Sequence, residues 1–137
     1  MPNIYAAGDV VLAWHPRFGR HVRVEHWDNA IRQGKAAAAN ILGAREPYSR
    51  TPYFYSDPFE LGMEYRGFAP EWGRVVVRGD VAAREFHAFW IADSRVIAAM
   101  NVNLWDDGAE LRRLVESEER VDPSRLSDPG VPLAEAA

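Results

Sequence analysis

The residues best placed to do chemistry lie near the start of the chain, where the apolar run Ile4–Val10 (IYAAGDV) ends in Gly8-Asp9. Glycine admits the positive φ of a tight turn and lets backbone approach a neighbour closely. A carboxylate on such a turn accepts hydrogen bonds from hydroxyl or amide donors. Read plainly, the same residues are a strand-terminating turn with a solvated aspartate. Glu25 and His26 stand just before a helical pattern, and a helix start gathers unpaired N–H groups and partial positive charge. The plain alternatives are an Ala-rich packing helix with Trp27 at its start and a surface pair, Glu25 and His26, beside the cap. Arg17, Arg20 and Arg23 have no nearby acid within residues 14–23. They are either a solvated basic loop or part of a docking face for an acidic partner. Tyr53, Phe54 and Tyr55 form an aromatic run of the kind that usually packs in a core.

Other chemistries are excluded by what the chain lacks. There is no cysteine, hence no disulfide, thiolate metal site or iron–sulfur ligation within it. His15, His21, His26 and His87 show no His-x-x-x-His spacing or carboxylate pattern typical of zinc, so no metal site is expected. No two glycines lie two apart, so no Gly-x-Gly-x-x-Gly loop exists to hold a pyrophosphate. A net charge of −4 disfavours nucleic acid. No apolar run approaches the roughly 20 residues of a membrane span, and the start lacks a secretory signal. A cytoplasmic location is expected. Any redox role must come from a bound organic cofactor.

The elements that position these residues follow from periodicity. Pro2–Ala7 reads as a buried strand. Asp28–Leu42 reads as a helix with Trp27, Ala30, Ile31, Gly34, Ala37, Ala38, Ile41 and Leu42 at face spacing, ended by Gly43. Beyond a polar stretch at Arg45–Arg50 the pattern is β, with strands expected at Phe59–Phe68, Arg74–Gly79, Arg84–Ala92 and Arg95–Leu104. Asp93-Ser94 is a two-residue hairpin turn. Asp106-Asp107 caps a helix to about Ser117 with Leu111, Leu114 and Val115 inward. The proline-rich stretch from Val121 reads as irregular. With 137 residues there is room for one ordinary domain with a core.

Three segments together resemble FAD-dependent ferredoxin and rubredoxin reductases and the related apoptosis-inducing-factor-like proteins. Ile4–Val10 resembles their second FAD motif, Val24–Leu42 (VEHWDNAIRQGKAAAANIL) the helix that follows it, and Pro52–Leu61 (PYFYSDPFEL) the motif that opens their C-terminal domain. The resemblance implies that Gly8, Asp9 and Val10 border the flavin, with Asp9 accepting from a ribityl hydroxyl. It implies that His26 and Trp27 lie at the helix start, with the Trp27 N–H at the flavin pyrimidine, and that Tyr55 covers the ring where many relatives carry Trp. Glu25 and His26 are the nicotinamide-side candidates.

The implied fold is α+β: an antiparallel β-sheet domain flanked by helices, preceded by the last strand and helix of a Rossmann-like FAD-binding domain. The implied division is residues 1–45 for that FAD-domain remnant, 46–121 for the reductase C-terminal domain and 122–137 for an irregular tail. The parent would pass electrons from NAD(P)H through FAD to a ferredoxin or rubredoxin. This chain, lacking both pyrophosphate loops, is expected to be inactive alone. Residues 1–45, with Ile31, Ala38 and Ile41 uncovered, are expected either to associate with a second copy or to be poorly ordered. The competing expectation is a stand-alone C-terminal module for protein interaction or dimerisation without catalysis.

Overall fold

The strand periodicity from residue 63 onward becomes four strands of a five-stranded sheet. A computed structural model describes residues 4–136 and divides into two compact units, Met1–Phe54 and Tyr55–Ala137. This division falls later in the chain than residue 45.

The strands of the larger sheet are β3 (Tyr53–Ser56), which spans the division, and β4 (Met63–Gly67), β5 (Arg74–Asp80), β6 (Glu85–Ala92) and β7 (Arg95–Val102) of the second unit, ordered β3-β4-β7-β6-β5. The last four pair antiparallel. β6 and β7 are joined by Asp93-Ser94, both at positive φ (50° and 61°), as a type I′ turn requires. The expected strand at 59–68 is shorter than its apolar pattern. Its first residues form a loop in which Phe59 (φ 56°) is wholly exposed.

Phe89, Ile91, Val96 and Ala99 line the face that receives α2 (Gly108–Ser117), whose Leu111, Leu114 and Val115 are buried as expected. Burying each large apolar side chain stabilises by roughly 1.5–3 kcal/mol. The stretch from Val121 is not the irregular tail expected. Asp122 caps α3 (Pro123–Ser127) through Ser124 N–H at 2.8 Å, and Leu133–Glu135 forms a 3₁₀ turn. Pro123 stands at the start of α3, where its missing N–H costs nothing. Leu126, Leu133 and Ala136 are buried in the same cluster. Burial outweighs the proline content because only a few apolar residues need to be anchored.

The first unit contains β1 (Ala13–His15), β2 (Arg20–Val22) and α1 (Trp27–Ile41). The expected loop at 14–23 is instead a hairpin, with Trp14 opposite His21 and His15 opposite Arg20. Its strands, three residues each, are too short to show a period in the sequence. The buried strand expected at the start is also absent over residues 4–7, where Ile4 and Tyr5 are exposed. A strand needs a neighbour to take its hydrogen bonds, and among the described residues none pairs with this segment. Pro2 and Asn3 lie outside the described residues. α1 ends as expected: Ala44 N–H donates to Ala39 O and Gly43 N–H to Asn40 O, with Gly43 at φ 101°. This is a Schellman arrangement.

Candidate functional site

The site is built on the first half of α1. His26 is its N-cap, accepting from Asp28 N–H through Nδ1 at 3.3 Å, and Asp28 adds a negative charge to the first turn. Arg32 and Arg50 approach the Asp28 carboxylate at 3.4 and 3.5 Å. The helix then buries two polar residues one turn apart. Asn29 donates to Val24 O at 2.9 Å and accepts from the Tyr48 hydroxyl at 3.1 Å. Gln33 accepts from Gly8 N–H at 2.8 Å.

That last bond seats the Gly8-Asp9 turn against α1. Val11 N–H donates to Gly8 O at 3.0 Å, so Asp9 and Val10 are the two central residues of a tight turn. Gly8 is buried at φ 83°, and a Cβ there would meet Ala30 Cβ at 3.4 Å. The left-handed φ calls for glycine. Asp9 and Val10 are exposed at the turn tip. An accessible carboxylate is thus carried on a turn whose backbone is bonded to the helix that begins at Trp27.

The structure therefore brings Gly8, Asp9 and Val10 onto the same helix that His26 caps and Trp27 opens. His26 meets the ring edge of Tyr53 at 6.3 Å and lies 6.0 Å from Trp27, itself half exposed. Glu25 projects into solvent and pairs with Arg23 at 2.7 Å. An exposed pair of this kind contributes little to stability. Tyr55 belongs to the second unit, on β3, where alternation places it on the same face of the strand as Tyr53 and opposite Phe54.

The residues that sequence reasoning missed are Asn29, Gln33 and His15. His15 is buried, stacked on Phe18 at 4.0 Å, with Nε2 at 3.1 Å from Arg50 O. The signal for the first two was visible: Asn29 and Gln33 sit four apart in an otherwise Ala-rich helix. The apolar face read from the same helix is the side left open, with Ile31, Ala38, Ile41 and Leu42 exposed. Among the described residues no cluster of His, Asp or Glu could hold a metal, and no helix is long and apolar enough to cross a membrane.

The antiparallel sheet with its covering helices matches the C-terminal domain of ferredoxin reductases. The chain belongs to the Reductase C-terminal family, whose model matches residues 53–137. It is 40% identical over 131 residues to the ferredoxin–NAD(+) reductase component of the anthranilate 1,2-dioxygenase system of Burkholderia cepacia, covering 95% of this chain and 32% of that protein. A ferredoxin reductase from Rhodopseudomonas palustris superposes with a TM-score of 0.89 at 34% identity, over 99% of this chain and 34% of that one. The reductase in a covalent putidaredoxin reductase–putidaredoxin complex gives 0.85 at 33% identity, over 98% and 32%. The chain spans about a third of the length of the curated ferredoxin reductases it matches.

Proposed function

We propose that this chain supplies part of the flavin site and the C-terminal domain of an FAD-dependent reductase that draws electrons from NAD(P)H and delivers them to a ferredoxin or rubredoxin. The observation that carries this reading is the Gly8-Asp9-Val10 turn held to α1 by the Gly8–Gln33 bond. The residues fit the cofactor. The turn needs glycine at its root, its tip carries an accessible carboxylate, and a helix N-terminus lies on the same element.

When bound, FAD supplies the two-to-one electron conversion between a hydride donor and a one-electron carrier. Asp9 would accept a hydrogen bond from a ribityl hydroxyl. The start of α1, at Trp27, would offer a partial positive charge to the pyrimidine edge, where negative charge gathers on reduction. Tyr55 would cover the ring. Glu25 and His26 face the nicotinamide side, and Gly8 and Val10 line the turn.

The hairpin bearing Arg17 and Arg20, with Arg23 just beyond it, steers an acidic carrier toward the same region, an effect sensitive to salt. The uncovered face of α1 at Ile31, Ile41 and Leu42 is where the remaining FAD- and NAD-binding domains of the reductase pack.

The test is a chimera in which this chain replaces the last third of the Burkholderia cepacia relative. The chimera should purify with bound FAD and oxidise NADH. Asp9→Ala should weaken FAD by about 10- to 100-fold, the worth of one hydrogen bond to a charged group. Unchanged flavin retention in both Asp9→Ala and Tyr55→Ala would sink the reading.

A further inference from the structure

On one face of the five-stranded sheet, a polar row borders the row of apolar residues that α2 covers. Arg78, His87, Asn101 and Glu64 stand in register across β5, β6, β7 and β4. The adjacent row on that face, Val76, Phe89 and Ala99, belongs to the cluster under α2. The outer members of the polar row are accounted for. Arg78 donates to Asp128 O at 2.6 Å and Pro129 O at 3.3 Å, and Glu64 accepts from Arg66 at 2.8 Å.

The two inner members are not. Asn101 is 0% exposed, and neither its Oδ1 nor its Nδ2 has a partner. His87 is 3% exposed with Nδ1 unpartnered. Its Nε2 lies 3.1 Å from Asp107 Oδ2. Facing residues of an antiparallel pair have Cβ atoms about 5 Å apart, so the imidazole and the amide stand side by side.

α2 begins above this pair. Asp107 is its N-cap residue, yet its side chain caps nothing and lies against His87 instead. A Cβ on Gly108, the first helical residue, would come within 2.8 Å of Arg66 Nη2 and 3.6 Å of Glu64 Oε2. The helix N-terminus, with N–H groups that no residue of its own turn can satisfy, therefore sits over the same row.

We propose that His87 and Asn101 hold a buried water molecule beneath the N-terminus of α2. Donor and acceptor accounting selects water. The Asp107 carboxylate favours the proton on Nε2, which leaves Nδ1 as an acceptor. The ring itself is neutral, because burial pushes its pKa down more than Asp107 pulls it up. The occupant must then donate to Nδ1 and to Asn101 Oδ1 and accept from Asn101 Nδ2. An anion brings no donors and meets Asp107. A cation meets the Asn101 amide hydrogens and the guanidinium of Arg66. Water has two donors and two acceptors, and its remaining acceptor position suits a first-turn N–H of α2. Buried waters typically make about three such bonds. The molecule would then do what the Asp107 side chain does not, tying the start of the helix to β6 and β7.

A crystal structure of the chain at about 1.2 Å, where donors and acceptors can be assigned, tests this directly. One ordered oxygen within roughly 2.7–3.2 Å of the Asn101 amide and of His87 Nδ1 is expected. An amide bonded straight to the imidazole, with no density between them, would overturn the proposal. In solution, magnetisation transfer from water to the Asn101 side-chain protons should be seen in the wild-type chain, and its absence would equally sink the proposal. In Asn101→Leu the ordered oxygen should disappear. If that variant does not fold, the wild-type measurements decide.

Discussion

The two units hold their shape by opposite means. In Tyr55–Ala137 the buried residues are almost all apolar, a continuous cluster from Val76 to Ala136 interrupted by His87 and Asn101. In Met1–Phe54 the balance is reversed. Val22 is the buried apolar side chain among the described residues, and His15, Asn29 and Gln33 are the buried polar ones. Directional bonds from side chain to backbone do there what packing does in the second unit. An apolar cluster tolerates water only at its edge, whereas a polar scaffold holds a turn in one place while its surroundings stay open. A turn proposed to bear a ligand suits the second arrangement, because its outer surface must be left for something else to cover. The exposed Ile31, Ile41 and Leu42 on α1 agree with that division.

The largest expected break in this contrast is Phe89→Ala. Phe89 is fully buried at the centre of the cluster, and its truncation should cost about 3–5 kcal/mol, read as a lowered urea midpoint. A loss under about 1 kcal/mol would mean that the second unit does not depend on its core in this way. Leu126→Ala, expected to cost about 2–5 kcal/mol, asks the same of α3. A near-neutral result would restore the irregular tail that the prolines suggested.

Next comes Gln33→Ala, which leaves the buried Gly8 N–H without its acceptor. A loss of about 1–3 kcal/mol is expected, confined to the first unit. Amide hydrogen exchange should show Gly8 to Val11 released while β6 and β7 keep their protection. Equal acceleration in both units would mean that they unfold together and that the contrast has no energetic content.

The polar interruption in the second unit gives a pH-dependent effect. Burial holds His87 below its ordinary pKa, with Asp107 opposing and Arg78 adding to the shift. The unfolded chain, where His titrates near about 6.5, therefore binds the extra proton first as pH falls. Stability should be constant above that value and decline below it, down to the folded pKa. Urea midpoints between about pH 8 and pH 5 should show this decline in the wild type and a flatter line in His87→Gln. The smallest effect is Glu25→Gln. The exposed Arg23–Glu25 pair should contribute at most about 1 kcal/mol, so a larger loss would give Glu25 a structural part in the first unit.

The elements differ in how much of them local pattern could show. β5, β6, β7 and α2 were legible because each is seven residues or longer and repeats its own period against a shared core. The end of α1 was legible because Gly43 supplies a left-handed cap. The β1–β2 hairpin was not, since three-residue strands carry no period, and α3 was hidden by prolines that read as breakers.

For the candidate site, the sequence by itself determined the residue types. It gave a glycine able to take φ 83°, a carboxylate after it, and a helix beginning near Trp27. Only the tertiary structure decided how these are joined. That Gln33 reaches back 25 positions to the Gly8 amide, or that Asn101 lies buried beside His87, follows from which surfaces meet when the chain folds. Hydrogen-bond partners at such separation leave no spacing in the sequence, because any polar side chain of suitable length could have served.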